Sequence, residues 1–200
     1  MPTFVPRQLA AQGQRLEALE LAVHDARAAV VWSFGAGGGF HGPAGGLYDR
    51  LGEALAADRI GSIQVAYRRP ADLAPCVADV LAAVAAVVQA GPIPVALVGH
   101  SFGGAVVIRA ALASAAVSAV AALSSQLHGT EGVAALAPRP LFLLHGTDDE
   151  ILPVGCSEDL YRRAGEPKRL VRPRCRHGLD ECRDEVDREL GGWLREQLLG

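Results

Sequence analysis

One serine in this sequence stands in a pattern that can make its hydroxyl a nucleophile. Ser101 is the centre of GHSFGG at residues 99–104, which follows the apolar run PVALV and opens a run rich in Ala and Val. Gly-x-Ser-x-Gly between a strand and a helix is typical of a nucleophile elbow, a turn so sharp that Cβ atoms two residues to either side of the serine would collide with the neighbouring chain. The alternative interpretation is an ordinary glycine-rich turn.

A cluster of acids follows a second apolar run, where a strand is expected to end. The segment LFLLHGTDDEILP, residues 141–153, places Asp148, Asp149 and Glu150 just past LFLLH. Sites in α/β sheets form at the carboxyl ends of the strands, so one of these carboxylates is a candidate for catalysis. The other two are then solvated turn residues.

His177 is the one histidine that follows these acids in the sequence. A serine nucleophile needs a base that takes its proton and an acid that orients the base, and Ser, Asp, His is one of the chain orders in which such triads occur. The stretches from Ser101 to Asp149 and from Asp149 to His177 each fit about one βα unit, which would bring the three side chains to one edge of a sheet. The alternative is a surface histidine without a chemical role.

Short apolar runs alternate with longer amphipathic ones, which predicts an α/β fold built from βαβ units around a mostly parallel sheet. The predicted strands are residues 29–34, 63–67, 94–99, 117–123, 141–145 and 169–171. The predicted helices are residues 47–57, 71–90, 102–113, 157–164 and 181–199, while residues 14–23 fit a strand or a helix. No internal repeat or long linker interrupts the pattern, so residues 1–200 are expected to form a single domain.

These motifs resemble the α/β-hydrolase fold superfamily, specifically its small uncapped members of the dienelactone hydrolase, carboxylesterase and acyl-thioesterase kind. The resemblance covers the chain from about Arg15 onward and implies a mostly parallel central sheet with helices on both faces and no cap domain. In that family His-Gly-x-x-Asp-x-x-Val-Pro follows the seventh strand. Aligned with HGTDDEILP, this pattern assigns the acid to Asp149 and keeps Asp148 as the alternative.

The resemblance implies a serine hydrolase that cleaves a small carboxylic ester or thioester through an acyl-enzyme intermediate. Ser101 would attack the carbonyl, His177 would take the serine proton, and Asp149 would orient the imidazole. The backbone N–H groups of Ala36 and Phe102 would hold the oxyanion. Neither a cofactor nor a metal is expected.

The candidate oxyanion loop departs from the family pattern. The loop FGAGGG, residues 34–39, stands where the family usually begins with His-Gly, so Phe34 replaces the histidine. Because both expected donors are backbone groups, the identity of the side chain matters little to them. The departure nevertheless favours one alternative from a different class, a binding or scaffold protein that keeps the fold without turnover.

The same loop supports a dinucleotide-binding interpretation. GGGFHG at residues 37–42 satisfies Gly-x-Gly-x-x-Gly after a strand, the pattern that cradles a pyrophosphate in oxidoreductases. The next predicted strand ends in Tyr67-Arg68-Arg69 and lacks the acid that binds a ribose, although the arginines suit a 2′-phosphate. This alternative leaves the order of serine, acid and histidine unexplained.

Only 12 residues, 128–139, precede the seventh strand, where family members usually insert a cap, so an open site for small or protruding esters is expected. The candidate substrate-binding residues are Gly37, His100, Gln126, His128 and Arg176, whereas His145 is expected to be a packing or turn residue. Basic residues outnumber acids around His177 in the sequence, which predicts a positive rim that attracts anionic substrates. The alternative is that these charges protect an exposed edge strand from pairing.

Composition bounds the remaining classes. The chain has 200 residues, of which 50% are hydrophobic and 20% charged, and its net charge of −3 provides no basic surface for nucleic acid. The spacing of the four cysteines fits neither a zinc site nor a disulfide scaffold, so free thiols in a cytoplasmic protein are expected. The N-terminus has no signal pattern, and no membrane span is expected. The expected partner is a small-molecule ester or thioester.

Overall fold

A mostly parallel sheet lies at the centre of the protein in the computed structural model, which describes residues 3–200. Its eight strands lie in the order β1-β2-β4-β3-β5-β6-β7-β8. Strands β3 to β8 run parallel, whereas β1 pairs antiparallel with β2 and β2 with β4. The strands are β1 Val5–Ala11, β2 Gln14–Leu21, β3 Ala28–Ser33, β4 Ile60–Val65, β5 Val95–His100, β6 Val117–Leu123, β7 Leu141–Leu144 and β8 Lys168–Val171.

Helices cover both faces of this sheet, as expected. They are α1 Pro43–Ala56, α2 Leu73–Ala90, α3 Phe102–Ala113, α4 Gly155–Arg163 and α5 Arg183–Leu199. One apolar cluster joins α2, α3 and α4 to the sheet, and a second joins α1 and α5 to its opposite face. Strands β3, β4 and β5 are buried along their whole length. Burial on both faces explains why β3 and β5 are almost continuous apolar runs in the sequence.

Strand β1 of the N-terminal hairpin is the element that the sequence pattern did not predict. Gln14–Leu21 forms strand β2, one of the two alternatives expected for residues 14–23, and β1 lies beside it at the edge of the sheet with Val5 half exposed. The two strands are joined by Gln12 and Gly13, both with positive φ (52° and 74°), as in a two-residue hairpin turn. Gln-Gly is not one of the residue pairs that usually announce such a turn, so β1 carried no signal.

Nothing inserted between β6 and β7 covers the carboxyl ends of the strands. Within residues 3–200, the connection consists of residues 124–140 with one short 3₁₀ helix, Val133–Leu136. This agrees with the expected absence of a cap domain.

Helix α2 is long and apolar enough to span a membrane by length and composition. In the structure it contacts α3 and strands β1, β3 and β4, with a buried face that includes Cys76, Val80 and Val84. The same face buries Asp79, whose carboxylate binds the backbone N–H of Arg68 at 2.9 Å and the Arg68 guanidinium. An apolar helix with a buried ion pair is here part of the core beside the sheet.

Candidate active site

Ser101 occupies a strained turn between β5 and α3. Its φ of 57° and ψ of −121° fall where residues other than glycine are uncommon. A Cβ on Gly99 would lie 2.1 Å from the carbonyl oxygen of Gly103, and a Cβ on Gly103 would lie 2.3 Å from that of Phe34. Both glycines are therefore required by close backbone approach, and the turn has the geometry expected of a nucleophile elbow.

Asp149 and His177 meet at the carboxyl ends of β7 and β8. Asp149 Oδ2 lies 2.8 Å from His177 Nδ1, and Oδ1 accepts the N–H groups of Ile151 and Leu152 at 2.9 and 2.8 Å. Burial alone would raise the pKa of Asp149, but the Leu152 N–H and the His177 ring outweigh it and hold the pKa below its ordinary value. Asp149 is therefore an ionised acceptor that fixes the proton of His177 on Nδ1.

The neighbouring acids have other partners. Asp148 is exposed, and its Oδ2 lies 3.2 Å from Arg174 Nε. Glu150 accepts the backbone N–H of His177 at 3.2 Å and so contacts the main chain of the histidine, not its ring. Of the three acids that the sequence offered, only Asp149 is bonded to the imidazole of His177 in the described structure.

A second histidine, His145, contacts the Asp149 carboxylate. His145 is fully buried, with Nε2 at 3.0 Å from the Leu152 carbonyl and 3.1 Å from Asp149 Oδ2 and with Nδ1 at 2.7 Å from Ser157 Oγ. Burial lowers its pKa, so the ring is neutral, Nε2–H donates and Nδ1 accepts. His145 is thus a buried turn residue, one of the two roles expected, and it also contacts Asp149. Its place in the His-Gly-x-x-Asp pattern was the available signal for that contact.

His100 is buried beneath the candidate site, a placement that differs from the pocket-lining role expected from the sequence. Its Nε2 lies 2.9 Å from the His177 carbonyl, and its ring centroid lies 4.8 Å from that of His177. Burial lowers the pKa of His100 to about 4, so the ring is neutral at neutral pH. The Nε2–H therefore donates to the loop that carries His177, and Nδ1 has no hydrogen-bond partner among the described residues.

The glycine-rich loop after β3 lies directly beside Ser101. A Cβ on Gly35 would lie 3.6 Å from the Ser101 Cβ, and Ala36 and Gly37 follow at the exposed surface. Phe34 packs against Tyr48 and His100 at ring-centroid distances of 6.2 and 5.7 Å. The N–H groups of Ala36 and Phe102, the expected oxyanion donors, thus belong to two segments on either side of Ser101.

The structure gives the dinucleotide interpretation no support. Ala44, Gly45 and Gly46 at the start of α1 are left-handed, so this end lacks the regular helix turn that binds a pyrophosphate. The N–H of Ala44 donates to the Gly178 carbonyl at 2.7 Å. Arg68, which was to contact a 2′-phosphate, is held instead by the buried Asp79.

The predicted positive rim around His177 is not a free charge, because carboxylates pair with its basic residues. Arg176 is exposed and pairs with Glu181, so its expected contact with substrate competes with an ion pair. The other pairs are Arg162 and Arg163 with Asp159, Lys168 with Glu166, Arg169 with Glu189, Arg172 with Glu158 and Arg174 with Asp148. Counting charges within one stretch of sequence missed the carboxylates of α4, of the turn around Asp149, of α5 and of the short 3₁₀ helix Asp180–Cys182 before it.

The remaining pocket candidates lie on the loop after β6. Gln126 donates through Nε2 to the carbonyl of His128 at 2.8 Å, and the His128 side chain is exposed. A Cβ on Gly104 would lie 2.5 Å from Ser125 Oγ, so this loop begins against the first turn of α3. Gln126 and His128 therefore belong to the loop that borders Ser101. The Gln126 amide is bonded within this loop, to the His128 carbonyl.

A disulfide corrects the prediction of four free thiols. Cys175 and Cys182 are bonded to each other with their Cα atoms 5.8 Å apart, while Cys76 and Cys156 are free. The bridge closes the loop that carries His177 immediately before α5. This pairing has no signature in the sequence, because two cysteines seven residues apart meet only when the intervening loop turns back.

Three solved structures superpose on nearly the whole chain. A dienelactone hydrolase from Anabaena variabilis gives a TM-score of 0.83 at 17% identity, with 98% of this chain and 99% of that chain covered. An alpha-beta serine hydrolase homologue from Coxiella burnetii gives 0.82 at 16% identity, with 97% and 99% covered. The esterase domain of a Rhodothermus marinus protein gives 0.79 at 20% identity, with 98% and 99% covered. The chain has the α/β-hydrolase fold.

This result confirms the expected uncapped α/β-hydrolase architecture. No family model matches the chain. The uncharacterized protein YfhR of Escherichia coli (strain K12) is 32% identical over 98 residues, which cover 38% of this chain and 34% of YfhR. The match thus spans about a third of the length of that relative.

Proposed function

We propose that this protein is a serine hydrolase that cleaves a small carboxylic ester or thioester through an acyl-enzyme intermediate. The observation that carries the proposal is the 2.8 Å bond between His177 Nδ1 and Asp149, at the same sheet edge as the strained turn of Ser101. Solved proteins with this fold include an esterase domain and a dienelactone hydrolase, which supports a hydrolase in general. The triad and the substrate class are our inference from this chain's own residues.

In the proposed reaction, Ser101 Oγ attacks the acyl carbonyl carbon. Because Nδ1–H of His177 is bonded to Asp149, Nε2 carries the lone pair that takes the serine proton. The imidazolium then returns this proton to the departing alcohol or thiol, and the carboxylate of Asp149 stabilises the imidazolium meanwhile. Water activated by His177 releases the acyl group from Ser101.

The oxyanion of each tetrahedral intermediate would accept the N–H groups of Ala36 and Phe102. Phe102 begins α3, so the partial positive charge at that helix end adds to its N–H group. Both donors are backbone N–H groups, so neither needs a particular side chain at position 34. The replacement of the usual histidine by Phe34 is therefore compatible with turnover.

The surroundings of Ser101 favour short, uncharged substrates. No inserted domain covers the elbow within residues 3–200, so a long acyl chain would have little apolar surface to bind. The arginines nearest to His177 are already paired with acids, so they offer little net charge to an anionic group. We propose a small neutral ester or thioester as the substrate class.

Hydrolysis of a graded panel of esters and thioesters tests this function. The wild type and Ser118→Ala should hydrolyse short acyl chains at equal rates, because Ser118 binds Val95 at the opposite, amino end of the strands. Ser101→Ala should lose turnover while its unfolding transition stays the same. Equal turnover by Ser101→Ala, or a panel without any hydrolysed member, overturns the proposal and leaves the non-catalytic binding protein as the better hypothesis.

A further inference from the structure

Buried hydroxyl groups bind two backbone carbonyls at the junction of β3 and the oxyanion loop (residues 34–39). Tyr67 Oη donates to the Phe34 carbonyl at 3.0 Å, and Tyr48 Oη donates to the Ser33 carbonyl at 2.9 Å. The Ser33 hydroxyl is bonded to Tyr67 Oη as well. Since Tyr67 Oη has one proton and gives it to Phe34, Ser33 is the donor in that pair.

These bonds determine where the amide protons of the loop point. In a trans peptide the C=O of one residue and the N–H of the next are fixed in one plane and point in opposite directions. The bond from Tyr67 to the Phe34 carbonyl therefore orients the Gly35 N–H. The next plane is set by the N–H of Gly38, which donates to the Gly35 carbonyl at 3.0 Å and so orients the N–H of Ala36.

Tyr67 also touches the segment that carries the second proposed donor. Its ring meets the Phe102 ring edge-on, with centroids 6.0 Å apart and planes at 89°. A Cβ on Gly38 would lie 3.9 Å from Tyr67 Cδ2, so the turn of the loop rests near the same ring. Tyr67 thus joins the two backbone segments on either side of Ser101, whereas the Tyr48 hydroxyl bonds only the first peptide of the loop.

We propose that Tyr67 is a positioning residue for the oxyanion hole, holding the Ala36 and Phe102 segments at a fixed separation. This inference rests on the proposed function, because it needs an oxyanion to be stabilised at Ser101. Burial raises the pKa of Tyr67 far above its ordinary value, so the hydroxyl remains a donor throughout the working pH range. The bond from Tyr67 to the Phe34 carbonyl would hold this loop in place without the histidine that Phe34 replaces.

The test compares two tyrosine hydroxyls of similar burial. Tyr67→Phe keeps the ring against Phe102 and removes the bonds of its hydroxyl to the Phe34 carbonyl and to the Ser33 hydroxyl. Tyr48→Phe removes the bond one peptide further from Ala36. Tyr161→Phe, on α4, is the matched control. The readouts are the rate constant for phosphonylation of Ser101 by a fluorophosphonate, whose P=O occupies the oxyanion position, and kcat and KM for the best ester of the panel.

Tyr67→Phe should lower the phosphonylation rate and kcat by about tenfold with KM little changed, less than the 10²–10³ typical of losing a donor itself. Tyr48→Phe should lose clearly less, and Tyr161→Phe should match the wild type. Wild-type rates in Tyr67→Phe, or losses in the two variants that simply follow their melting temperatures, overturn the inference while the proposed function stands. A wild type that is not labelled at Ser101 overturns both.

If Tyr67→Phe does not fold, Ser33→Ala provides the second test. It removes the hydroxyl that donates to Tyr67 and leaves the bond from Tyr67 to Phe34 free to reorient. A severalfold slower phosphonylation at unchanged KM supports the inference. A wild-type rate in folded Ser33→Ala contradicts it.

Discussion

At the scale of single residues, hydrogen-bond partners distinguish Asp149 from Asp148 more clearly than the sequence does. Asp149 and Asp148 are adjacent and chemically identical, yet one is buried and bonded to His177 and Leu152 while the other is exposed and faces Arg174. The assignment of Asp149 rested on an aligned pattern. The hydrogen bonds now give it a physical basis, because the acceptor bonded to Nδ1 fixes the imidazole tautomer, and that acceptor is Asp149.

Exchanging each aspartate for asparagine tests this difference. Asp149→Asn should lower kcat by up to about 10⁴-fold, because an amide can stabilise the wrong tautomer of His177 and cannot stabilise the imidazolium. Asp148→Asn, the matched control, loses only an exposed ion pair and should change kcat little. Steady-state kinetics of both folded variants measure the effect, and the reverse ranking would transfer the role to Asp148.

Stability should depend on pH through His100. Its pKa in the folded state is about 4, below the value of 6.5 for an unperturbed histidine, so the unfolded chain binds more protons between these two values. The free energy of unfolding should therefore fall by as much as about 3 kcal/mol as the pH drops from about 6.5 to 4, and His145, shifted in the same direction, adds to the slope.

Urea unfolding at several pH values measures this slope. His100→Gln keeps an N–H donor near the His177 carbonyl without a titrating ring, so its stability should change less across the same window. His24→Gln is the control, because His24 lies at the surface with its ring almost fully exposed. An unchanged slope in His100→Gln would show that other groups cause the dependence.

At the scale of elements, periodicity located the strands and helices because parallel strands buried on both faces leave continuous apolar runs. It failed where the position of an element depends on distant partners. Strand β1 is an exposed edge strand defined by its pairing with β2, and the disulfide joins two cysteines that the loop around His177 brings together. Neither contact has a local signature in the sequence.

The disulfide should stabilise the fold through the loop that carries His177. Closing a loop of this length restricts the unfolded chain and so raises the free energy of unfolding by about 2–3 kcal/mol. Replacing both Cys175 and Cys182 by serine should therefore lower the melting temperature and reduce kcat, because the His177 loop loses its covalent tie. Cys156→Ser, which removes a free thiol, is the control.

Thiol counting checks the premise of that experiment. Denatured protein kept oxidised should titrate as two thiols, those of Cys76 and Cys156, and reduced protein as four. Four thiols before reduction would contradict the bridge. Equal stability of the double serine variant would show that the bridge does not hold the loop.

At the scale of the whole molecule, the balance of surface charge determines whether the site can prefer charged substrates. The local excess of arginine around His177 disappears once α4 and α5 supply their carboxylates, a cancellation that only the folded arrangement reveals. The sequence predicted the architecture and the three chemical groups. It could not predict a supporting partner such as Tyr67, because Tyr67 acts on Phe34 through a contact between residues 33 apart along the chain.

Substrate charge should therefore matter little. A neutral ester and an anionic ester of equal size should have kcat/KM values within about threefold at low salt, and added salt should change their ratio little, because paired charges produce a weak field. Arg174→Gln with Arg176→Gln should leave the ratio unchanged. A strong preference for the anionic ester that fades with salt and disappears in the double variant would restore the positive rim.

The most direct test of the central claim is the mass of the protein after reaction with a serine-directed fluorophosphonate. A serine activated by His177 and Asp149 should gain one phosphonyl group, located by peptide mapping on Ser101 and absent from Ser101→Ala. Labelling should slow strongly in Asp149→Asn and proceed normally in Asp148→Asn. A protein that stays unmodified, or that is modified at another residue, would contradict the account.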